Sequence, residues 1–427
     1  MRLVYNLIAL AVTLAYLPAY LARRKFHRGF LRRLGILPQD LMMKRPIWIH
    51  AVSLGEAKAV RTLVEILRSV YPQKQFVFST VTTTGNKIAR EMAREGDLVT
   101  YLPLDFSFSV RNTIARINPC IFIIAETEIW PNLISCLFGR GIPVVIVNGR
   151  ISDRSFRGYR IIKFLFEPIL RKVSLFCVQS DSDAARFVAL GVAPQNIRVS
   201  GNMKFDIEDN PRLEDDAAGY RRKLGLGEGD RLLVCGSTHP GEEELLLDVY
   251  RQLSGDYRRL HLLLAPRHPE RSVQVGDLIR KAGFQPSATS RLGQGGSKGE
   301  KVFIVDSIGE LMGYYAAADL VFIGGSLIKK GGHNILEPAV LAKPVIFGPY
   351  MFNFRDIARM FLDNQAALSV RGSGELKTRL KELLDNPAKA LLLGVRGRQL
   401  ILENRGATGR ILKEIESFLP ASGSPLH

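Results

Sequence analysis

Short apolar runs alternate with helix-like stretches along most of the chain, and this alternation constrains the fold more than any other feature. In the first half the apolar runs are nearly continuous, which is typical of strands buried on both faces of a parallel sheet. Helical patterns such as 57–70 and 85–94 lie between them. The sequence therefore predicts an α/β fold with a doubly wound parallel sheet. The predicted strands of the first half are 47–51, 76–79, 121–125, 144–148 and 175–179.

The alternation breaks once and then restarts. Residues 208–214 (EDNPRLE) are polar and contain a proline, and strand-like runs resume after them. Because 427 residues are too many for one core, we predict two Rossmann-like parallel-sheet domains, 34–207 and 208–427, that face a cleft. A loop rich in Gly and Ser is expected at 287–301, and helices at 373–418 either cap the second domain or cross back to the first. The predicted strands of the second half are 232–236, 261–265, 301–305, 320–323 and 345–347.

The charge balance points to an acidic partner. The chain carries 59 Lys and Arg residues against 41 acidic ones, a net charge of +18. An anionic membrane, a phosphorylated substrate and nucleic acid all have the required charge. A nucleic-acid partner is not expected, because neither a reading helix nor basic residues interleaved with exposed aromatics occur. The cysteines lack C-x-x-C spacing and predict buried thiols in a reducing compartment. They are Cys120, Cys136, Cys177 and Cys235.

The N-terminal segment, 1–33, predicts a membrane anchor followed by a basic juxtamembrane stretch. Residues 3–22 contain no charged side chain, and twenty helical residues span the ~30 Å of a bilayer core. The basic residues follow this run, whereas a cleaved signal peptide has its positive charge before it. The positive-inside rule then places the rest of the chain in the cytoplasm. A buried amphipathic helix is the alternative, and the sequence leaves open whether the anchor spans the bilayer or lies at its surface.

A glycine loop between two apolar runs has the pattern of an anion site. Residues 324–348 (GGSLIKKGGHNILEPAVLAKPVIFG) lead from one predicted strand through the loop into a helix expected to begin at Asn334. Main-chain N–H groups at such a helix start favour a phosphate. Glu337 lies in the first turn, where its carboxylate suits the diol of a ribose. The alternative is an ordinary strand–loop–helix with glycines for packing.

Motifs for other cofactors are absent from the sequence. Neither G-x-G-x-x-G with a downstream acid nor G-x-x-x-x-G-K-[ST] occurs, which argues against NAD and against a P-loop ATPase. The triplet 181–183 (DSD) resembles a metal-binding D-x-D motif, but Ser180 before it predicts a helix cap, and we predict no metal or other cofactor. Ligands of open α/β sheets bind beyond the carboxyl ends of the strands. Two such sheets that face each other would form a cleft with one substrate on each side, and this architecture is typical of a nucleotide-sugar glycosyltransferase.

Three strand ends of the first half carry candidate catalytic groups. Glu56 opens a helix after the first strand and is either a general base or an acid that complements the helix dipole, which would lower its pKa. Glu126 and Glu128 follow strand 121–125, and we do not assign both to one role. Lys204 lies before the linker, where it would meet a carboxylate or a phosphate.

Other strand-end loops have candidate binding groups. The hydroxyl-rich loop 79–85 (STVTTTG) suits sugar or phosphate oxygens, although a helix cap at Thr84 explains it equally well. Residues 148–150 (NGR), with Arg154 and Arg157, have the composition of a phosphate site. In the second half, loops 236–239 (GSTH), 266–269 (PRHP) and 307–311 (SIGEL) also end strands.

These motifs, taken together and in order, resemble the 3-deoxy-D-manno-octulosonic acid (Kdo) transferase family. The resemblance covers almost the whole chain. It implies a two-Rossmann-domain (GT-B) glycosyltransferase that moves Kdo from CMP-Kdo to the lipid A precursor at the cytoplasmic face of a bacterial inner membrane. The motifs are SLGE, TTTG, AETEIWPN, NGRISDRS, GNMKFD, GSTHPGEEE, APRHPER and GGHNILEP.

The resemblance also implies roles for particular residues. Glu56 matches the family's proton acceptor for the 6′-hydroxyl of the acceptor, and Glu126 and Lys204 match positions that stabilise the transition state. A single base and no covalent intermediate imply inversion at the anomeric carbon. No departure from the family pattern occurs at these positions. The residues that match the CMP site are Pro266, Arg267, His268, Gly309, Glu310, Leu311, Asn334, Ile335, Leu336 and Glu337.

Two other functions remain compatible with the residues. The first is another membrane-bound transferase of this fold that uses a UDP-sugar and a lipid carrier. The second is a non-catalytic, membrane-tethered binder of nucleotides or nucleic acid. Dependence on CMP or UDP separates the first from the Kdo transferase. An unchanged function after Glu56→Gln would favour the second.

Overall fold

The computed structural model describes residues 29–38, 41–207, 211–292 and 301–419. The chain divides into two compact units: the first comprises Met1–Asp206 with Arg405–His427, and the second Ile207–Asn404. The predicted anchor, 3–22, lies outside the described residues. Among the residues that are described, no helix is both long and apolar enough to cross a membrane.

The sheet of the first unit is parallel, with strand order β3-β2-β1-β4-β5-β6-β7. The order reverses between β1 and β4, which pair directly from Ile47 with Ile121 to His50 with Ile124. Such a reversal leaves a crevice at the carboxyl ends of the strands, where open α/β sheets bind ligands. The strands are β1 Ile47–His50, β2 Phe76–Thr80, β3 Leu98–Tyr101, β4 Ile121–Ala125, β5 Val144–Gly149, β6 Leu175–Val178 and β7 Ile197–Val199.

Helices cover both faces of this sheet because its central strands are apolar on both sides. Trp48 of β1 is fully buried, packs edge-on against Phe122 of β4 and donates a hydrogen bond to Ser79. The helices of the first unit before the linker are α1 Phe30–Arg33, α2 Leu54–Ala59, α3 Arg61–Val70, α4 Thr83–Met92, α5 Ser107–Ile117, α6 Pro131–Phe138, α7 Asp153–Ile161, α8 Lys163–Leu170 and α9 Asp181–Ala189, with 3₁₀ turns Pro194–Asn196 and Met203–Phe205.

The second unit repeats the architecture, with strand order β10-β11-β9-β8-β12-β13-β14 and every pair parallel. Here the order reverses between β8 and β12, which pair from Leu320 with Leu233 to Ile323 with Gly236. The strands are β8 Arg231–Thr238, β9 Leu260–Pro266, β10 Pro286–Ala288, β11 Val302–Ile304, β12 Leu320–Ile323, β13 Val345–Phe347 and β14 Leu368–Ser369.

The helices of the second unit lie before, between and after these parallel strands. They are α10 Pro211–Lys223, α11 Glu242–Ser254, α12 Ser272–Lys281, α13 Leu311–Ala317, α14 Leu336–Val340, α15 Arg355–Asp363, α16 Ser373–Asp385 and α17 Pro387–Asn404, with 3₁₀ turns Pro269–Arg271 and Thr289–Arg291. The predicted Gly/Ser-rich loop, 287–301, thus begins within strand β10 and continues into a 3₁₀ turn, and 293–300 lie outside the described residues.

The last helix, α18 Ala407–Glu416, corrects the predicted extent of the second domain, 208–427. Ala407, Ile411 and Ile415 are fully buried in a core cluster with residues of β1 and β4, so this helix belongs to the first unit. The carboxylate of Asp206 accepts hydrogen bonds from the backbone N–H groups of Gly406 and Thr408, both at 2.6 Å, and stabilises the start of the helix. The chain therefore crosses to the second unit and returns.

Two smaller predictions are also resolved. The hydroxyl of Thr82, not of Thr84, accepts from the backbone N–H of Gly85 and caps α4. Ser180 caps α9, as the sequence predicted. All four cysteines are free thiols. Three of them are buried and Cys136 is partly exposed.

Candidate functional site

Glu56 lies at the carboxyl edge of the first sheet, in the first turn of α2. Ser53 caps this helix, because its hydroxyl accepts from the N–H of Glu56. In return, the Glu56 carboxylate accepts from the N–H of Val52 at 2.6 Å and from the Ser53 hydroxyl at 2.9 Å. These contacts hold the carboxylate in one orientation, in the manner of a capping box.

The pKa of Glu56 is raised above its ordinary value. Burial is the largest cause, and the negative charge of Glu126 adds to it, while the hydrogen bonds from Val52 and Ser53 act in the opposite direction. From the sequence, the helix dipole was expected to lower the pKa of this carboxylate and make it a weaker base. The expectation was wrong in sign, because removal from water outweighs the groups that stabilise the charge.

Glu126 follows β4, the strand next to β1, and has a left-handed backbone with φ of +58°. A non-glycine residue rarely adopts this conformation unless its surroundings hold it there. Its side chain, 15% exposed, accepts from Lys204 Nζ and from Arg150 Nε, both at 3.1 Å. Burial alone would raise the pKa of this carboxyl, but the two cations lower it. Glu126 is therefore held as a carboxylate between two positive charges.

Asn148 connects this ion-pair cluster to the turn that carries Lys204. Its backbone is also left-handed, with φ of +56°, and its buried side-chain oxygen accepts from the N–H of Met203 at 3.0 Å. Arg150, predicted from the sequence to belong to a phosphate site, pairs with Glu126. The strand-end residues of β4 and β5 thus form one network with the Lys204 turn.

Glu128 is the second acid of the motif AETEIWPN, and the sequence did not predict a role for it. Burial, with the charges of Glu56 and Glu126, raises its pKa to about 7. The same charge interactions show that the three carboxyl groups lie in one electrostatic cluster of the first unit. The spacing of E-T-E was the only signal in the sequence, and spacing alone does not say which of the two acids is neutralised.

The second unit brings the residues matched to CMP to one edge of its sheet. Pro266 ends β9, and Arg267 continues from it with its N–H donated to Thr238 of β8 at 2.9 Å. Gly309 to Leu311 follow β11, and Asn334 to Glu337 follow β12. Because β11, β9, β8 and β12 are consecutive neighbours, these loops share the carboxyl edge of the sheet.

The loop after β12 is stiffened by its own hydrogen bonds. The Asn334 side chain accepts from the N–H of Leu336 and donates to Glu337, both at 3.1 Å. Helix α14 begins at Leu336 and has only five residues. Ile335 and Leu336 are fully buried, whereas Asn334 and Glu337 are partly exposed. Glu310 accepts from Lys223 at 2.7 Å; burial raises the pKa of this carboxyl, but hydrogen bonds from Lys223 and Ser307 bring it below the ordinary value.

A metal site was not predicted, and the described ranges contain no group of three or more His, Cys, Asp or Glu side chains able to hold a metal ion. The first unit combines an oriented carboxylate with a charged ion-pair cluster at a topological switch point. The second presents polar loops at the equivalent edge. Together these features define an α/β enzyme of the two-Rossmann-domain, sugar-transferring class.

Comparison with known proteins specifies this class. The family model for 3-Deoxy-D-manno-octulosonic-acid transferase (kdotransferase) matches residues 28–207. The 3-deoxy-D-manno-octulosonic acid transferase of Haemophilus influenzae is 39% identical over 379 residues, which is 87% of each chain. That of Chlamydophila psittaci is 30% identical over 427 residues, 97% of this chain and 96% of the relative. The chain belongs to the Kdo transferase family and is a glycosyltransferase.

A solved structure supports the fold alone. The glycosyltransferase from Rickettsia africae has a TM-score of 0.53 at 15% identity, covering 88% of this chain and 98% of that one. The resemblance inferred from the motifs is confirmed, as is the α/β architecture of two parallel sheets.

Proposed function

We propose that this chain transfers Kdo from CMP-Kdo to the 6′-hydroxyl of the lipid A precursor, lipid IVA, with inversion at the anomeric carbon. The observation that carries the proposal is the position of Glu56. Its oriented carboxylate lies at the switch point of the first sheet, in the same electrostatic cluster as Glu126.

Glu56 is proposed as the general base. It takes the proton of the acceptor hydroxyl as that oxygen attacks the anomeric carbon. A base is more effective when its pKa approaches the working pH, and burial moves the pKa of Glu56 in that direction. The hydrogen bonds from Val52 and Ser53 fix the orientation of the carboxylate before a substrate binds.

Glu126 and Lys204 are proposed to stabilise the transition state. The Glu126 carboxylate is paired with two cations, Lys204 and Arg150, so this ion-pair group taken by itself carries one more positive than negative charge. Such a preorganised charge favours negative groups of the donor, which carries a carboxylate and a phosphodiester. Arg150 is included in this role because it shares the Glu126 carboxylate with Lys204.

The second unit is proposed as the CMP-binding unit. The partly exposed side chains of Glu337 and Asn334 suit the ribose hydroxyls, and Ile335 and Leu336 are included because they lie between them in the same loop. Arg267 and His268 lie on the loop after β9, within reach of a phosphate or base at the same edge. Gly309, Glu310 and Leu311 complete the edge from the side of β11, and Pro266 ends β9 beside them.

The lipid acceptor is supported by an exposed surface of the first unit. Ile161 at the end of α7 is 80% exposed, and Phe164 in α8 is 69% exposed. Arg154, Arg157 and Arg160 lie exposed on α7. Exposed apolar side chains beside basic ones are typical of proteins that contact an anionic membrane. We call Ile161, Phe164 and the three arginines the α7–α8 surface.

We further propose that the N-terminal apolar segment, 3–22, anchors the chain to a bacterial inner membrane with the two units on the cytoplasmic side. Its support is the sequence: a stretch without charges is followed directly by Arg23, Arg24 and Lys25. The anionic lipids of that leaflet would then be a second partner of the chain, through both the basic stretch and the α7–α8 surface.

Transfer to lipid IVA tests the proposal. The purified full-length chain is incubated with lipid IVA and with CMP-Kdo that is generated in situ. The mass of the lipid product is then measured by mass spectrometry. A mass gain of one or more Kdo units supports the donor, the acceptor and the reaction together. No gain with CMP-Kdo, and turnover with a UDP-sugar and a lipid carrier, would overturn the proposal in favour of another transferase of this fold.

A further inference from the structure

Two histidines of the second unit share a hydrogen bond. The rings of His239 and His333 are stacked, with centroids 5.1 Å apart and an angle of 7° between their planes. Their Nε2 atoms are 2.8 Å apart. One Nε2 therefore carries a proton and donates it, and the other accepts. We call these two side chains the histidine pair.

The pair lies at the topological switch point of the second sheet. His239 directly follows β8, and His333 lies in the loop after β12, the neighbouring strand. Gly325, with φ of +68°, brings its backbone against both rings: a Cβ there would lie 3.0 Å from His333 and 3.4 Å from His239. The loop and the pair are therefore built around each other at the edge where a ligand of this fold binds.

Cationic groups surround the pair. Burial, as the largest cause, and repulsion from His268, Lys330, Arg267 and Arg271 together lower the pKa of His239 to about 4. The neighbouring acids are already engaged. Buried Glu242 accepts from the N–H groups of Gly325, Ser326 and Leu327 and of His239 itself, and buried Glu243 pairs with Arg271 at 2.9 Å. The other charged groups around the pair are cationic, and a bound anion would reduce their repulsion.

We propose that the histidine pair is a proton-accepting part of the phosphate subsite, and that a nucleotide phosphate bound beside Lys330 and Arg267 draws one proton onto the pair. This inference rests on the proposed CMP-Kdo donor. It adds the histidine pair to the residues matched to the CMP site, and it assigns the pair a change of charge that accompanies the change of charge on the phosphate.

The pair accepts this proton without losing its shared hydrogen bond. The histidine that donates through Nε2 has an unprotonated Nδ1, and the incoming proton from solvent binds there. The shared bond then runs from an imidazolium to a neutral imidazole and is charge-assisted. The positive charge produced lies at the sheet edge that faces the phosphate.

The charge change matches the reaction. When the bond between the anomeric carbon and the phosphate oxygen breaks, its electron pair stays on that oxygen. A phosphodiester with one negative charge becomes CMP, a monoester with two. A proton taken from solvent by the histidine pair balances the added charge and stabilises CMP as the leaving group.

Proton uptake on CMP binding tests the inference. Calorimetric titration of the full-length chain with CMP at pH 7, in buffers of different ionisation enthalpy, gives the number of protons bound. We expect uptake of about one proton in the wild type, and none beyond the ligand's own contribution in His239→Gln or His333→Gln. His261→Gln is the matched control, because His261 lies in β9 beside Asp230 and should keep the wild-type uptake.

The outcomes separate this inference from the proposed function. No CMP binding by the wild type would overturn the donor assignment itself. Binding with equal proton uptake in the wild type and both variants would place the proton elsewhere, for example on exposed His268, and would overturn the role of the pair. If the variants do not fold, the wild type still tests the inference: its affinity for CMP should fall as the pH rises from 6.5 to 7.5, by about tenfold per pH unit at most, the limit for uptake of one full proton. A flat profile would overturn the inference.

Discussion

Glu56 and Glu126 are neighbouring carboxyl groups whose surroundings move their pKa values in opposite directions. Burial raises that of Glu56, whereas Lys204 and Arg150 lower that of Glu126 despite its burial. Pairs separated in this way take different roles in a reaction. This difference supports the proposal that Glu56, whose pKa is raised, accepts the proton and that Glu126, held between two cations, keeps its charge.

Glu128 makes the stability of the first unit depend on pH. Its pKa is about 7 in the folded chain against an ordinary 4.5, so the folded state binds the proton more tightly than the unfolded state. Stability is therefore lost as the pH rises from about 4.5 to 7 and is constant above that range. We expect Glu128→Gln, which cannot ionise, to be more stable than the wild type by about 1 kcal/mol at pH 8. This free energy is smaller than the pKa difference alone would give, because solvent screens a partly exposed carboxylate.

Urea denaturation at pH 4.5 and pH 8 measures this difference. Glu65→Gln, at an exposed position of α3, is the matched control and should show no such pH-dependent gain. An equal stability of Glu128→Gln and the wild type at both pH values would show that the carboxyl is not neutralised in the folded chain.

The sequence predicted part of this site. Glu56, Glu126 and Lys204 were assigned through the family motifs, and the parallel sheet explains why strand ends far apart in sequence meet. The bonds of Arg150 and the raised pKa of Glu128 were missed. Both follow from how the strand-end loops fold, and those loops include left-handed backbones at Glu126 and Asn148 that a pattern of residue types does not reveal.

At the scale of elements, the buried central strands were predicted and the short edge strands were not. β7 (IRV), β10 (PSA) and β14 (LS) have two or three residues each and no long apolar run. β3 (LVTY) alternates between buried and half-buried side chains and was also missed. An edge strand is defined by its neighbour in the sheet, so its own sequence carries little signal.

Helix α18 was misplaced for a related reason. Its apolar positions, Ala407, Ile411 and Ile415, recur every four residues and require a core to pack against, but both sheets offer one. The deciding contacts are Asp206 at the start of the helix and Arg410, which donates to the backbone oxygen of Ser200 at 2.8 Å. Both partners lie in the polar segment just before the linker.

Gly394 limits how closely α17 approaches the loop after α14. A Cβ at this position would overlap the carbonyl oxygen of Ala342. We expect Gly394→Ala to destabilise the second unit by about 1–3 kcal/mol through overpacking, measured by urea denaturation. The matched control is Gly409→Ala in α18, where a Cβ meets no atom within 4 Å and a gain of about 0.4–1 kcal/mol is expected. Equal effects of the two substitutions would contradict this packing.

At the scale of the whole molecule, we expect the net charge of +18 and the α7–α8 surface to act together on the proposed acceptor. A basic enzyme would attract an acceptor that carries two phosphates and lies in an anionic membrane. In this proposal charge brings the chain to the bilayer, and exposed apolar side chains hold it there. Substitutions on the α7–α8 surface should therefore change binding of the lipid acceptor but not of the donor, which is soluble.

The double variant Ile161→Ser/Phe164→Ser should raise the apparent KM for lipid IVA presented in anionic vesicles by about tenfold, equivalent to ~1.4 kcal/mol. Its affinity for CMP should not change. Val273→Ser is the matched control, since Val273 is also exposed but lies on the second unit. A KM unchanged in the double variant would remove the α7–α8 surface from acceptor binding.

The most direct test of the account is the turnover of Glu56→Gln with lipid IVA and CMP-Kdo. The amide keeps the size of the side chain but cannot take a proton, so we predict a kcat reduced by about 10²–10⁴ with the Kd for CMP unchanged. Glu65→Gln should have wild-type kcat. A Glu56→Gln enzyme that still turns over within tenfold of the wild type would show that another group accepts the proton.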